Sequence, residues 1–395
     1  MAEPLSNGAV YQSVPDTYVL PEHKRPGSSP PSSTAAIAAI PVVDLGGDDP
    51  DRMAEQIVAA GREFGFFQVR NSSVCSSSLV SPGAKLSLLR TQELLNPAEL
   101  RPWALCVTDV QVINHGVPED VMGAMMSAAE EFFKLPTEEK MAHYSTDSTK
   151  LPRFHTSVGK EQEQLLYWRD CLKIGCYPFE EFRRQWPDRP AGLAEALEPY
   201  TAAVRGVALR VLRLAALGLG LADEAHFELE AGEVTAGPVI MNVNHYVACP
   251  DPSLTLGIAP HCDPNVVTVL MDNGVRGLQA RRHGGGGGGG EGWVDVDPPP
   301  GGLVVNFGHQ MEVVTNGRVR AGEHRAVTSA RAARTSVAAF VMPAMGCVVS
   351  PAPGMVAEGE APFLRPYTYQ EFVGVYTAAN GDRDAVLAQL RNHNG

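Results

Sequence analysis

Five residues in the second half of the chain have the types and spacing of one metal and oxoacid site. His261 and Asp263 stand two apart, and side chains at i and i+2 of a β-strand lie on the same face, so both can bind one ion. His324 would complete a set of two histidines and one carboxylate, which leaves open positions on non-haem Fe(II) for a cosubstrate and O₂. Arg334 and Ser336 again stand two apart, and they offer a guanidinium and a hydroxyl to the carboxylate of a 2-oxo acid.

The composition is that of a globular protein that acts on small molecules. The chain of 395 residues is 44% hydrophobic and only 19% charged, so it can bury a large core. Its net charge of −13 argues against a nucleic acid or an anionic membrane surface as partner. We therefore expect a small-molecule substrate and no obligate protein partner.

The cysteines and the first residues predict a cytoplasmic protein. The seven cysteines form an odd set without a C-x-x-C pair, which favours neither a disulfide framework nor a zinc ribbon. The first thirty or so residues are polar and rich in Pro and Ser, without the apolar core of a signal peptide. No stretch of the sequence reaches membrane-spanning length.

Hydrophobic periodicity places helices before a β-rich half. Residues 40–45 and 64–69 have the pattern of strands, and Asp49 can cap a helix that begins at Pro50. Further helices are predicted to begin near Pro118, to run from Ala191 to about Leu217, and to fill 369–390 with a break at 380–381. Short β-rich segments alternate with turns from Pro238 to about Pro343, which is typical of a β-sandwich or jelly roll.

The local sequences around the five residues carry a family resemblance. They are Asn244-His245-Tyr246, Pro260-His261-Cys262-Asp263, Gly277-Leu278-Gln279, Val305-Asn306-Phe307-Gly308, Thr315-Asn316-Gly317, Glu323-His324-Arg325 and Arg334-Thr335-Ser336. In this order and spacing the chain resembles the plant 2-oxoglutarate/Fe(II)-dependent dioxygenases. Tyr167-Trp168-Arg169-Asp170-Cys171 adds a likeness to the deoxymugineic acid dioxygenase and hyoscyamine 6-hydroxylase group.

The resemblance implies an activity and a set of cofactors. Such enzymes use Fe(II), 2-oxoglutarate as cosubstrate and O₂, with ascorbate as a reductant, and release succinate and CO₂. The oxidation is usually a hydroxylation, and here its substrate would be a specialised metabolite or a hormone. By this resemblance His261, Asp263 and His324 are the metal ligands and the catalytic centre.

The resemblance also implies residues for 2-oxoglutarate and for the substrate. Arg334 and Ser336 would bind the far carboxylate of 2-oxoglutarate, with Tyr246 as a further donor and Asn244 as a neighbour. Val247-Ala248 departs from the diproline that commonly follows Tyr246 in the family. Phe340 and Met342 continue the Arg334 strand in steps of two towards the substrate pocket, with core packing as the equal alternative.

The fold that the resemblance implies is mainly β with bracing α-helices, around a double-stranded β-helix (jelly roll, cupin-like) core. The predicted organisation is a loosely ordered arm at 1–36, an N-terminal dioxygenase region at 37–180, scaffold helices at 181–237, the jelly-roll domain at 238–345 and a C-terminal segment with a helix at 346–395.

Two segments do not fit this plan. A glycine tract between His283 and Gly292 is predicted to be a flexible solvent loop. A Ser-rich stretch separates Phe67-Gln68 from Val112-Ile113, and deletion of 69–111 would restore one continuous strand. We interpret 69–111 as a translated retained intron, and a genuine surface loop is the alternative.

Other functions remain open from the sequence alone. A catalytically inactive ligand-binding relative would keep the fold without turnover, although it would have no reason to retain all five residues. A zinc hydrolase could use the same three metal ligands, but it would leave Arg334 and Ser336 unexplained. His115, His245 and His309 are expected to be structural, and Cys262 is expected to be a small buried thiol on the other strand face.

Overall fold

Two antiparallel sheets form the β core of the protein in the computed structural model, which describes residues 3–27, 40–69, 115–157, 165–221, 237–282, 292–379 and 381–392. Within these ranges the strands are β1 Phe66–Val69, β2 Arg153–Thr156, β3 Asp170–Tyr177, β4 Val239–Tyr246, β5 Leu256–His261, β6 Val267–Asp272, β7 Leu278–Arg281, β8 Trp293–Asp295, β9 Leu303–Phe307, β10 His324–Val327, β11 Arg334–Val341, β12 Val348–Val349 and β13 Tyr367–Thr368. The larger sheet has the order β1-β9-β6-β11-β4-β3-β2, and the smaller has the order β5-β10-β7-β8. Strands β12 and β13 pair separately. The mainly β, jelly-roll architecture predicted from the resemblance is confirmed.

Eight α-helices lie within the described residues, and several of them cover one face of the larger sheet. They are α1 Pro50–Glu63, α2 Glu119–Lys134, α3 Thr137–Met141, α4 Phe179–Phe182, α5 Gly192–Gly218, α6 His309–Val314, α7 Tyr369–Ala378 and α8 Arg383–Leu390. The long helix α5 packs against α1, α2 and the strands β3, β6 and β11. Val243, Val337 and Leu172 of the sheet join this helical layer in one hydrophobic core, so the opposite, concave face of the sheet is left for other groups.

The predicted helices are confirmed. The side chain of Asp49 accepts a hydrogen bond from the amide of Arg52, and Pro50 is the first residue of α1. A proline suits that position because its missing N–H would have no partner inside the helix. The C-terminal helix breaks as expected: Gly381 has a φ of +73°, between the end of α7 and the start of α8.

The predicted strand at 40–45 is wrong as a strand. In the structure only Val42 of this segment forms a β-bridge, to Gln68 of β1. Two backbone hydrogen bonds flank the bridge: the amide of Gln68 donates to the carbonyl of Pro41, and the amide of Val43 donates to the carbonyl of Gln68. The extended segment is short because the amide of Gly46 turns back onto the carboxylate of Asp44 at 2.7 Å. The strand predicted at 64–69 is present and begins at Phe66.

Residues 3–27 of the predicted N-terminal arm pack against the rest of the protein. Leu5, Tyr18 and Trp168 lie together in a small buried cluster. The carboxylate of Asp170 anchors the arm by accepting hydrogen bonds from the amides of Leu5 and Ser6, at 3.1 and 2.7 Å. This packing was not predicted from the sequence because the segment has few apolar residues. A few aromatic contacts and the buried carboxylate of Asp170 hold the segment in place.

Two predicted segments lie outside the described residues. They are the glycine tract, at 283–291, and the suspected intron, of which only Val69 is described. The domain boundaries remain predictions.

Candidate active site

His261 and His324 face each other across the smaller sheet. His261 ends β5 and His324 begins β10, and the two residues are direct partners in the antiparallel register. Their ring centroids are 4.3 Å apart. Two positions distant in sequence are therefore brought together by one strand pairing.

Backbone carbonyls orient both imidazole rings. Nδ1 of His261 lies 2.9 Å from the carbonyl oxygen of Ala259, and Nδ1 of His324 lies 3.0 Å from that of Gly322. A carbonyl only accepts hydrogen bonds, so Nδ1 carries the proton and the lone pair of Nε2 is left for a metal. Burial, with a smaller contribution from His324, lowers the pKa of His261 to about 4, which keeps this ring neutral at pH 7.

Asp263 lies beyond the end of β5, not on the strand as predicted. Its Oδ1 atom is 3.6 Å from Nε2 of His261 and 3.7 Å from Nε2 of His324. Its Oδ2 atom accepts hydrogen bonds from the hydroxyl of Thr268 at 2.6 Å and the amide of Asn306 at 2.8 Å. Burial opposes ionisation, but the two histidines and these two donors lower the pKa of Asp263 overall, so it is a carboxylate.

The three side chains form a cluster that fits a non-haem iron ion. One ligand atom from each of His261, Asp263 and His324 lies within 4.8 Å of the other two. Two imidazole nitrogens and one carboxylate oxygen are the donors of the facial triad that Fe(II) oxygenases use. Metal ligands need hydrogen bonds that orient them. Here the carbonyls of Ala259 and Gly322 orient the two imidazoles, and Thr268 and Asn306 orient the carboxylate of Asp263.

Arg334 and Ser336 lie on one face of β11, as predicted. Arg334 donates to Oδ2 of Asp272 at 2.8 Å and to the carbonyl of Val275 at 3.0 Å, so part of its guanidinium remains available. The hydroxyl of Ser336 is buried without a hydrogen-bond partner. A buried hydroxyl beside a guanidinium is suited to an anionic ligand that would satisfy it.

Tyr246 and Asn244 lie directly opposite these two residues in the sheet. Strand β4 pairs Tyr246 with Arg334 and Asn244 with Ser336. Burial raises the pKa of Tyr246, so its phenol stays protonated and can donate. The ring fits against Gly257, where an added Cβ would lie 2.5 Å from two ring carbons.

One cavity between the sheets is lined by all seven of these residues, which are His261, Asp263, His324, Arg334, Ser336, Tyr246 and Asn244. Its apolar walls include Phe66, Leu270, Leu278, Ala338 and Phe340. Phe340 therefore lines the cavity, while its contact with a substrate stays a prediction. Met342 does not line this cavity: β11 ends at Val341, and Met342 packs against the main core.

Three other histidines are not members of this cluster. Nε2 of His115 lies 3.0 Å from the carbonyl of Gly301, and Nδ1 of His245 lies 3.0 Å from the hydroxyl of Thr335. His309 is fully buried beside Phe372 and Tyr376. Cys262 is buried on the opposite side of the strand end, with its thiol 3.7 Å from the carbonyl of Ala321.

Comparison with known proteins decides the family. The chain matches the 2OG-Fe(II) oxygenase superfamily over residues 238–343, and the model described as the N-terminal region of non-haem dioxygenases in morphine synthesis over residues 108–189. It is 34% identical to 2'-deoxymugineic-acid 2'-dioxygenase from Hordeum vulgare over 382 residues, which cover 96% of this chain and 95% of that protein. The chain belongs to the 2-oxoglutarate/Fe(II)-dependent oxygenase family.

Further relatives of this oxygenase are other plant dioxygenases. It is 32% identical to flavanone 3-dioxygenase 2 from Oryza sativa over 98% of its length and 97% of the relative, and 34% identical to hyoscyamine 6-dioxygenase from Hyoscyamus niger over 70% of its length and 80% of the relative. Among solved structures it resembles JOX2 in complex with 2OG, Fe and JA, with a TM-score of 0.76, 25% identity and coverage of 98% and 96%. The predicted family, reaction class and use of Fe(II), 2-oxoglutarate and O₂ are confirmed.

Sequence reasoning missed four residues that shape the oxygenase site. Thr268 and Asn306 hold Asp263, and Phe66 packs edge-on against His324 with ring centroids 5.2 Å apart. Arg169 donates to Oδ1 of Asn244 at 3.1 Å and lines the cavity. Only Asn306 and Arg169 belong to the sequence motifs named above, and the spacing of neither pointed to His261, Asp263 or His324.

Among the residues that the structure describes, no helix is both long and apolar enough to cross a bilayer.

Proposed function

We propose that His261, Asp263 and His324 hold Fe(II), and that the enzyme hydroxylates a small organic molecule in the cytoplasm. One observation supports this assignment above the others: three oriented ligand atoms converge at one end of a cavity whose other wall holds the unpaired hydroxyl of Ser336. Bound Fe(II) and 2-oxoglutarate supply oxidation of a C–H bond by O₂, with release of succinate and CO₂.

Arg334 and Ser336 bind the far carboxylate of 2-oxoglutarate in this proposal, with Tyr246 donating and Asn244 adjacent. Asp272 already neutralises part of the charge of Arg334 and fixes the plane of its guanidinium. Both side chains are buried, with exposed fractions of 3% for Arg334 and 7% for Asp272. The guanidinium is therefore positioned before the ligand arrives, which reduces the ordering cost of binding.

The remaining residues keep water from the reacting atoms and hold the ligands still. Phe66, Leu270 and Phe340 supply apolar walls around the metal ligands. Thr268 and Asn306 keep Oδ2 of Asp263 occupied, so Oδ1 faces the histidines.

Two alternatives use the same residues. A zinc hydrolase explains the three metal ligands but gives no use to the hydroxyl of Ser336. An inactive binding protein explains the cavity, but it does not require two imidazoles held in the metal-binding tautomer.

An anaerobic titration separates these alternatives. Fe(II) and 2-oxoglutarate together should produce a weak visible charge-transfer band, and O₂ should then release succinate. His261→Ala should abolish both signals, whereas the matched change His23→Ala, at an exposed histidine, should leave both unchanged. Arg334→Lys keeps a partner for Asp272 but loses the planar fork, so it should raise the 2-oxoglutarate concentration needed for the band.

The proposal fails if wild-type protein shows no band and no succinate with a broad panel of substrates. Hydrolysis supported by Zn²⁺ in place of succinate release would favour the hydrolase.

A further inference from the structure

Basic side chains form a row on the face of the larger sheet that lines the cavity, and this row continues beyond the cavity. Lys173 of β3 is the register partner of Asn242, which lines the cavity, and Arg153 of β2 is the partner of Lys173. Arg169, just before β3, reaches the cavity directly. We name Arg153, Arg169 and Lys173 the basic face.

The register fixes the side on which two of these residues lie. Leu172, Ile174 and Phe154 belong to the hydrophobic core under the helices. Side chains alternate along a strand, so Lys173 and Arg153 point to the opposite face, which is that of the cavity.

The basic face has no acidic partner among the described residues. Arg153 donates to the carbonyl of Ser145 at 2.9 Å, and Arg169 donates to Asn244. Asp147 acts on Arg153 from a distance, but it is exposed and accepts hydrogen bonds from Thr149.

Two acidic residues lie near the basic face but bind other groups. Asp170 is buried and bound to Leu5 and Ser6. Asp272 is paired with Arg334.

This arrangement is unfavourable in the free protein. Like charges directly opposite on neighbouring strands repel each other. Burial lowers the pKa of both Arg153 and Lys173, and it lowers the pKa of His155, which is two residues from Arg153, to about 2. His155 is therefore neutral, while two cations remain beside it.

Several polar atoms of this region are buried and unpaired. They are Nε of Arg169, Nδ1 of His155 and Oδ1 of Asn242. His155 is 93% buried, since its exposed fraction is 7%. Unsatisfied buried donors and acceptors cost stability unless a ligand satisfies them.

We infer that the basic face binds a carboxylate of the substrate, so that the enzyme oxidises an organic acid and not an uncharged molecule. This inference rests on the proposed function, because it places the acid beside the metal ligands. Arg169 lines the cavity together with the proposed metal ligands, and Lys173 and Arg153 extend the face towards the edge of the sheet.

The basic face is distinct from the site proposed for 2-oxoglutarate. Strand β4 lies between Lys173 and the β11 strand of Arg334 and Ser336. Two strand spacings amount to about 10 Å, so a cosubstrate held by Arg334 leaves Lys173 unoccupied.

A paired-compound assay tests the inference. Enzyme loaded with Fe(II) and 2-oxoglutarate would be given 2'-deoxymugineic acid or indole-3-acetic acid, each beside its methyl ester, and an uncharged flavanone. Succinate release above the substrate-free background would be measured for wild type, Lys173→Met and Lys173→Arg.

An acid should stimulate succinate release more than its ester does. Lys173→Met should weaken that stimulation about tenfold in apparent affinity, and Lys173→Arg should retain most of it. The charge-transfer band with 2-oxoglutarate should stay unchanged in both variants. Loss of the band in wild type would instead contradict the proposed iron site, so the two failures are distinguishable.

Equal stimulation by esters or by the flavanone overturns the inference, as does a Lys173→Met variant that loses 2-oxoglutarate binding. A second measurement needs no substrate. Because no acidic side chain of the described residues pairs with the basic face, Lys173→Met should unfold at a higher temperature than wild type at low salt, with a smaller difference at high salt. A lower unfolding temperature for Lys173→Met at low salt would show that Lys173 is already paired, and it would also overturn the inference.

Discussion

The hydroxyl of Thr268 donates a 2.6 Å hydrogen bond to Oδ2 of Asp263. This bond ties the proposed metal ligand, just beyond the end of β5 in the smaller sheet, to β6 of the larger sheet. Asn306 of β9 makes the second bond to the same oxygen. Asp263 lies in a loop, so these two bonds, and not strand geometry, fix the direction of its free oxygen.

Thr268→Val should therefore weaken Fe(II) binding although all three proposed metal-ligating side chains are still present. Valine keeps the shape of threonine but removes the donor, and loss of such outer hydrogen bonds typically reduces metal affinity about tenfold or more. Titration of the metal-free protein with Fe(II) under nitrogen measures the effect. Thr201→Val, at a buried threonine of α5 that bonds Leu197, is the matched control, and its Fe(II) affinity should equal that of wild type. Unchanged affinity in Thr268→Val would contradict the role of this bond.

Ser336→Ala should lower affinity for 2-oxoglutarate while leaving the free protein as stable as before. The hydroxyl has no partner in the free protein, so its removal breaks no hydrogen bond. A bond to a charged ligand is worth about 1.5 to 3 kcal/mol, which predicts a rise of about tenfold to a hundredfold in the KM for 2-oxoglutarate.

Its neighbour Thr335 should behave in the opposite way. Thr335→Val loses the contact with His245 on the other strand face, so it should lower the free energy of unfolding by about 1 kcal/mol and leave the KM for 2-oxoglutarate unchanged. An unchanged KM in Ser336→Ala would refute the assignment of its hydroxyl.

Gly257→Ala should displace the ring of Tyr246. The added Cβ would lie 2.5 Å from Cδ1 and Cε1 of that ring, closer than any real contact. Such overpacking costs about 1 to 3 kcal/mol, and the KM for 2-oxoglutarate should rise because a donor moves. Gly206→Ala is the control, since its Cβ meets nothing within 4 Å in α5 and alanine favours a helix. Normal kinetics in Gly257→Ala would argue that Tyr246 takes no part in binding.

The metal-free protein should lose stability as the pH falls from about 6.5 to about 4. Burial, with Lys140 and Lys134 adding to it, lowers the pKa of His245 from 6.5 to about 4, so in this interval the unfolded chain binds a proton that the folded protein does not. One such group contributes up to about 1.4 kcal/mol per pH unit.

Denaturant unfolding across this pH range checks the effect. His245→Gln can keep a contact with Thr335 but does not titrate, so its stability should fall less steeply than that of wild type. His23→Gln, at an exposed position, should follow wild type. Identical slopes for His245→Gln and wild type would exclude His245 as a contributor.

The segment 69–111 can be removed without moving the strands beside it, if the intron hypothesis is correct. Val69 of β1 is paired with Leu303, and His115 contacts the carbonyl of Gly301, so both flanks lie against the same end of β9. A variant lacking 69–111 should fold, produce the same charge-transfer band and unfold at an equal or higher temperature. Transcripts that predominantly encode 69–111, or a deletion variant that fails to fold, would favour a genuine loop.

The sequence predicted the parts of the site that depend on local spacing. His261, Arg334 and Ser336 lie where strand periodicity placed them, and Asp49 and Pro50 begin α1 as expected. Asp263 was assigned to a strand because only spacing was visible, whereas the chain leaves the strand to reach donors on β6 and β9.

The features that were missed depend on pairings between distant strands. Nothing local to Arg153 or Lys173 shows that they become neighbours and that their row reaches the cavity, because this follows from the order β2-β3-β4. Met342 packs against the core, which was one of the two alternatives that the sequence left open. The sequence could not decide between them because the end of β11 depends on the strands that pair with it.

Labelled oxygen tests the central claim most directly. The proposed reaction divides O₂ between its two products, so enzyme supplied with Fe(II), 2-oxoglutarate and ¹⁸O₂ should release succinate that carries one ¹⁸O atom, as measured by mass spectrometry. The label should disappear in His261→Ala because no succinate forms. Succinate without label, or no succinate from the wild-type enzyme with any acid or neutral substrate, would contradict the account.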